Sequence, residues 1–553
     1  MVDTDEDRRV DVTAHPDLAR DVVAVAGEPR FTQLYVPGSD PEVAARVAGR
    51  WRDLMGERAA WVGTRKRILM FSCLAMSVSN LYAQSYTWFC STENDVWKET
   101  KIKLQSKSET TPILKVTGAE SIQIFKRWGT CFNELGWDAL NLLSLEQQDA
   151  ILSKLFSPDG ELHFSMGRIP MNANDYARDW YSCDEVDGDF QLKYFNIDRD
   201  KKTIIPFIRK ALHYNPNMTF WASPWSPPSW MKVNHYYSIL SNDKVNKMSP
   251  LSNVILHENS TERNDAYYPK QLAVNDYFIQ DTRYLRTYAD YFCRFISAYQ
   301  DENIPVTKVM FQNEPWAFTI YPGCAWTPEG IIRFNVEYLA PELKKRHPDV
   351  SLYLGTLNTN RFEIVDKILS DPRMHKTVDG LGFQWWGGQI LPDIRKKYPH
   401  YKYMQTENEC GSGTFDWKAA EHTFNLINHY LGNGCEEYTF WNAILCDEGT
   451  SGWGWKQNAL IHVDSKTEAV TYTPEYYAVR HFSDKVTSGT KVLQYKEKGD
   501  DKLPAMVFLT SDNKYLVVAG NFNDEPRKLT IQLGAKFLVA TLKPHSFNSF
   551  YMK

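Results

Sequence analysis

Two glutamates in this chain stand where an enzyme would keep an acid and a nucleophile. Glu314 lies near the end of the run Lys308-Val-Met-Phe-Gln-Asn-Glu-Pro-Trp316, and Glu407 lies in Gln405-Thr-Glu-Asn-Glu409. Each follows a short apolar run that reads as a buried strand. Pro315 cannot donate to a sheet ladder, so the first of these strands must stop there. The two glutamates are 93 positions apart (407 − 314). At ~31 residues per strand-helix unit, the average in a barrel of ~250 residues, that is about three units. Three units put the two strands across a barrel mouth from one another. Facing carboxylates can divide the work, one held protonated and the other ionised. Such a pair hydrolyses glycosidic bonds, with retention of configuration when the groups are ~5–5.5 Å apart.

The elements that must position them alternate regularly. Candidate buried strands are Ile122–Cys131, His163–Pro170, Met218–Ser223, Lys308–Glu314, Leu352–Thr356, Gly380–Trp385, Lys402–Glu407 and Glu437–Trp441. Helical patterns such as Asp281–Tyr299, Pro328–Arg346 and Trp417–Leu431 lie between several of them. This alternation predicts an α/β fold, a (β/α)8 TIM barrel, over residues 121–482. The polar stretches at about 177–200 and 232–277 read as insertions. Short alternating runs at 85–120 and again at 483–553 predict a side β-sandwich, with the N-terminal strands completing it.

Several strands end in polar or aromatic residues. Arg168, Trp221, Asn313, Gln384, Trp386, Trp441 and Asn442 would share one face and line one pocket. Arg168 would either lower the pKa of the nucleophile by its charge or sit in a structural ion pair. Glu409 is two residues beyond Glu407, so on an extended strand both side chains point the same way.

Composition removes other classes. Net charge is −5 over 553 residues, without the basic stripe of a nucleic-acid binder. The nine cysteines include no Cys-x-x-Cys pair and the histidines no His-Glu-x-x-His, so no metal site is expected. No phosphate-binding glycine motif supports a nucleotide cofactor. Aromatic residues make up 14% of the chain, and flat rings suit sugar stacking as well as a core. Residues 1–65 have nine arginines and no lysine, unlike the rest, and receive no function. Residues 66–84 combine a basic start, an apolar run and a small residue before Gln84, the parts of a secretory signal. Export to the periplasm, cell surface or medium is the resulting expectation, with a cytosolic domain and internal anchor helix as the alternative.

The motifs together resemble glycoside hydrolase family 30, from about Ser121 through the C-terminal sandwich. The resemblance rests on Arg168-Ile-Pro-Met with Asp175, Trp221-Ala-Ser-Pro, Gln312-Asn-Glu-Pro, Gly323-Cys-Ala-Trp-Thr-Pro-Glu, Thr406-Glu and Phe440-Trp-Asn. It implies a retaining hydrolase without a metal, with Glu314 as acid/base and Glu407 as nucleophile. Asn313 would hold the sugar 2-hydroxyl, and Asp175, Trp221 and Trp441 would line the terminal-sugar subsite. Glu409 would be a neighbouring hydrogen-bonding group. Arg127-Trp-Gly-Thr-Cys-Phe-Asn-Glu134 departs from the glycine-rich first strand of many members. The continuation Asn408-Glu-Cys-Gly-Ser-Gly looks more like bacterial and fungal β-1,6-glucanases than like animal glucosylceramidases. The expected substrate is therefore a β-glucan or β-glucoside, β-1,6-glucan first, cleaved by a monomer. Glucosylceramidase and xylanase activity are the alternatives within the family. A carbohydrate-binding protein without catalysis is the alternative outside it.

Overall fold

The computed structural model describes residues 85–118, 120–250 and 276–552, with short pieces at 24–28, 31–35, 46–47 and 49. The signal-like segment at 66–84 and the greater part of the 232–277 insertion lie outside the described residues. The chain divides into two units, Met1–Gln84 and Ser85–Lys553. In the first, strands Ala24–Glu28 and Phe31–Tyr35 pair antiparallel.

The second unit is built on a closed barrel of eight strands. In chain order they are β1 (Arg127–Cys131), β2 (Phe164–Met171), β3 (Thr219–Pro224), β4 (Val306–Met310), β5 (Ser351–Leu357), β6 (Gly380–Gln384), β7 (Lys402–Glu407) and β8 (Cys435–Asn442). Each runs parallel to the next, and β8 closes on β1 through pairs such as Glu437↔Arg127. The strands are buried on both faces, which explains their near-continuous apolar sequence. Two long helices start at side-chain caps. Asp281 accepts from the Arg283 amide at the start of Thr282–Asp301, and Asp416 from the Ala419 amide at the start of Trp417–Gly432.

The expected helix Pro328–Arg346 is broken. A π-helical stretch, Asn335–Leu339, joins Pro328–Phe334 to Ala340–Arg346. Pro341 has no amide hydrogen to donate to the preceding turn, so the ladder shifts just before it. The expected first strand also divides. Gln123–Ile124 pairs with Lys491–Lys496 outside the barrel, and only Arg127–Cys131 enters it.

Around the barrel side lies a seven-stranded sheet, faced by a three-stranded one made of Lys536–Leu542, Arg527–Leu533 and Leu114–Val116. Ser85–Thr92 sits inside the larger sheet, paired antiparallel with Ser546–Met552 on one side and Asp95–Lys103 on the other. Alternation along Tyr515–Asn521 explains the layering. Leu516 and Val518 join the barrel core, while Val517 and Ala519 join the sandwich core. The sheet is therefore apolar on both faces.

Candidate active site

The barrel interior is filled from below by Met166, Trp221, Met310, Tyr353 and Met404. Above them lies Arg168, fully buried, and everything in the site is arranged around it. Its Nη1 donates to Glu407 Oε2 at 2.5 Å. Its Nη2 donates to Asn313 Oδ1 at 2.7 Å and to Ser223 Oγ at 3.2 Å. Its guanidinium lies 4.7, 4.2 and 5.1 Å from the rings of Trp221, Trp225 and Trp441. A buried cation needs such partners, because stripping its water is costly, and of its nitrogens only Nε is left without a hydrogen bond.

Glu407 is the last residue of β7 and is 5% exposed. Besides Arg168 it accepts from Gln384 Nε2 at 3.2 Å, and its Oε1 accepts from Trp385 Nε1 at 2.8 Å.

Glu314 reaches the same space from the other side. Strand β4 ends at Met310, but the chain stays held between its neighbours. Asn313 donates its amide to Pro224 O, and the Gln312 amide donates to Gly355 O. The Glu314 amide donates to Thr356 Oγ1 at 3.1 Å. Its carboxylate accepts from Gln384 Nε2 at 3.1 Å on Oε1 and from Tyr321 Oη at 3.2 Å on Oε2. Burial, and next the charge of Glu407, push its pKa up to about 7. Glu314 and Trp385 both adopt left-handed backbone, with φ of 49° and 48°. Side-chain-bearing residues hold that conformation at a cost of about 1–3 kcal/mol each, and such strain clusters at functional sites.

One amide thus bridges the pair. Gln384 Nε2 touches Glu314 Oε1 at 3.1 Å and Glu407 Oε2 at 3.2 Å, so those oxygens are separated by at most the sum, roughly 6.3 Å. Asp175 lies in the same field and is 6% exposed. Burial, then the charges of Glu407 and Glu314, hold its carboxyl well above the usual carboxylate range, and its Oδ1 has no protein partner.

The other expected pocket residues divide. Asn313 and Gln384 are at the centre, with Asn313 Oδ1 accepting from Arg168, Thr356 and Gln384. Trp441 packs on Trp225 at 5.2 Å and lies at the mouth. Trp386 is half-buried in the 3-10 turn Trp385–Ile390, next to the residue that touches Glu407. Trp221 is a correction. It lies within β3, facing the barrel interior beneath Arg168, whereas Trp225, just past the strand end, meets Trp441. Asn442 is a second correction. It is fully buried, accepting from Asn133 at 3.0 Å and donating to Gln457 at 3.0 Å, so its bonds are spent on the protein. Glu409 is a third. The strand stops at Glu407, the two-residue alternation no longer applies, and Glu409 pairs with His422 at 2.7 Å. The sequence reading missed Trp225, Trp385, Tyr321 and Thr356. A signal existed for Trp225, in Pro224-Trp-Ser-Pro-Pro228 past a strand exit. Among the described residues, no group of three or more His, Cys, Asp or Glu could hold a metal ion.

The family profile described as the glycosyl hydrolase family 30 TIM-barrel domain matches residues 125–242 and 277–486. The chain is 27% identical over 482 residues to putative glucosylceramidase 3 of Caenorhabditis elegans, covering 82% of this chain and 84% of that one. It is 22% identical over 493 residues to an endo-1,6-beta-D-glucanase of Aspergillus fumigatus, covering 85% and 95%. Among solved structures, SrfJ from Salmonella typhimurium superposes with a TM-score of 0.71 at 21% identity, covering 85% of this chain and 99% of that one. A matched barrel of this extent, with paired glutamates at its mouth, makes the chain a glycosidase, and it belongs to glycoside hydrolase family 30.

Proposed function

We propose that this enzyme hydrolyses β-glucosidic bonds with retention, by double displacement, and that its substrate is β-1,6-glucan. The observation that carries the mechanism is the Gln384 bridge. It bounds the facing carboxylate oxygens at roughly 6.3 Å, the sum of 3.1 and 3.2 Å. Inverting enzymes need ~6.5–9.5 Å to admit a water between the two groups. Glu407, supplied with donors from Arg168, Gln384 and Trp385, attacks the anomeric carbon as the ionised group. Glu314, its pKa raised to about 7 by burial and the Glu407 charge, gives its proton to the leaving oxygen. It then takes one back from the water that releases the sugar. With Asn313 Oδ1 occupied by three donors, the Nδ2 of that amide is the group turned to the sugar 2-hydroxyl.

The glucan is supported by the aromatic character of the rim and by the similarity to the Aspergillus endo-1,6-beta-D-glucanase. The second reading is a glucosylceramidase, favoured by the name of the worm relative at higher identity. The signal-like segment supports an exported enzyme. N-terminal sequencing of material from its own host, with a start near Gln84 or Ser85, tests that. The substrate test is product analysis after incubation with linear β-1,6-glucan and, separately, glucosylceramide. Oligosaccharides from the glucan alone are expected. Cleavage of the lipid glucoside alone would overturn the glucan reading. With Glu314→Gln, hydrolysis of the glucan falls ~10²–10⁴-fold, and full retained activity would contradict the acid/base role.

A further inference from the structure

The two oxygens of Glu314 face different surroundings. Oε1 is tied through Gln384 to Glu407, on the side where the sugar being transferred must sit. Oε2 is tied instead to Tyr321 Oη at 3.2 Å, a donor that takes no part in the bridge to Glu407. Tyr321 is itself held by an aromatic neighbour. The loop between Asp447 and Gln457 folds back through a Thr450↔Lys456 bridge and lays Trp455 edge-on against Tyr321, with ring centres 4.4 Å apart. The same loop sends Trp453 Nε1 to Tyr237 Oη at 3.3 Å. The Tyr237 ring stacks on Trp180 at 5.0 Å and 15°. Trp455, Tyr237 and Trp180 are each half-buried, so each keeps part of its surface open.

This wall is fastened from behind. Lys232, fully buried, donates to three backbone carbonyls, those of Tyr237 at 2.9 Å, Ser238 at 3.2 Å and Gly323 at 2.6 Å. Gly323 in turn donates its amide to Tyr237 O. Lys232 therefore joins the segment carrying Tyr237 to the segment carrying Tyr321. Fixed rings flanking one oxygen of an acid are more than core filling, since a flat, half-open aromatic face is the surface on which a pyranose ring packs.

We propose that Trp455 is a specificity-determining residue, the platform for the sugar unit on the leaving-group side of the scissile bond, and that Tyr237 and Trp180 extend the platform to the next unit. This rests on the glucan reading and adds to it which side chains select a sugar as leaving group. The test compares Trp455→Ala and Trp455→Phe in the full chain, using β-1,6-linked glucotetraose and a p-nitrophenyl β-glucoside, whose leaving group has no sugar. The expected result is that Trp455→Ala loses kcat/KM on the tetraose by about tenfold more than on the aryl glucoside, chiefly through KM, and that Trp455→Phe recovers most of the difference. Equal losses on both substrates, confined to kcat, would overturn the platform and leave Trp455 only a support for Tyr321, with the glucan reading intact. A wild-type enzyme that cleaves the aryl glucoside and glucosylceramide but not the tetraose would overturn the glucan reading, and the platform with it. Circular dichroism and the intact Phe variant guard against misfolding of the Ala variant.

Discussion

Removing the Tyr321 hydroxyl should move the alkaline limb of activity upward. Glu314 must carry a proton to act on the leaving oxygen, so kcat/KM falls as pH rises through its pKa. Burial and the Glu407 charge push that pKa up to about 7, and two hydrogen bonds work against them, one from Gln384 and one from Tyr321. Both stabilise the ionised form and so lower the pKa. Tyr321→Phe deletes the 3.2 Å bond to Oε2 and leaves the ring in place against Trp455. A hydrogen bond to a charged group contributes ~1.5 kcal/mol at the low end of its range. At 1.36 kcal/mol per unit, the limb should shift from about 7 to roughly 8. At pH 8 the protonated fraction then rises from ~10% to ~50%, so the variant keeps about five times more of its own maximal kcat/KM than wild type does. The assay is kcat/KM on an aryl β-glucoside from pH 5 to 9, and the position of the limb is read, not its height. A limb that stays put or moves down would refute the assignment of that ionisation to Glu314 or the role of Tyr321 as its donor.

Trp385→Phe removes the indole donor to Glu407 Oε1, a 2.8 Å bond to a charged acceptor, and should lower kcat about 10–100-fold, measured by steady-state kinetics. Arg168→Lys keeps the positive charge but loses the planar fork that spans Glu407, Asn313 and Ser223. It should destabilise the fold by about 3 kcal/mol in urea unfolding and reduce kcat more than it raises KM. Lys232→Met strands the buried Gly323 carbonyl and removes one of two donors from those of Tyr237 and Ser238, and it should cost about 1–3 kcal/mol of stability by the same measurement, with the loss of activity greater on oligosaccharides than on aryl glucosides.

The barrel and its two glutamates were legible because strand periodicity and strand-ending residues are local signals. Glu314 stands out beside a proline, and Glu407 stands out as the last polar residue of a buried run. What lies past the strand ends was much harder to read. Trp385 aims its indole at Glu407 because its backbone turns to φ 48°, and no two-residue period foretells that. The same limit misled the reading of Glu409, whose direction was taken from a two-residue alternation carried past the strand end at Glu407. Tyr321 and Thr356 reach Glu314 through chain reversals whose geometry depends on neighbouring loops. Trp221 begins the motif that the resemblance rests on, but its place within the strand directs it to the interior, whereas Trp225 lies just past the strand end. The division of the first strand falls at Phe125-Lys126, where a charge interrupts the apolar run, and Gln123–Ile124 leaves for another sheet.

The position of Ser85–Thr92 between Asp95–Lys103 and Ser546–Met552 has a consequence for biosynthesis. Trp88 donates to Asn548 across 460 positions of chain. On the ribosome, the first hairpin of this unit emerges long before its partner exists. At ~5–20 residues per second, the gap is roughly 20–90 seconds. All eight barrel strands are translated within that interval, while one edge of the hairpin remains an unpaired template. The charges along Asp95–Lys103 (Asp95, Lys98, Glu99, Lys101 and Lys103) blunt the other edge against adventitious pairing during the wait. Assembly of the sandwich is therefore a late event governed by the last strand to be made. A nascent chain stalled before Ser546 would hold a barrel whose flanking sheet still lacks its seam.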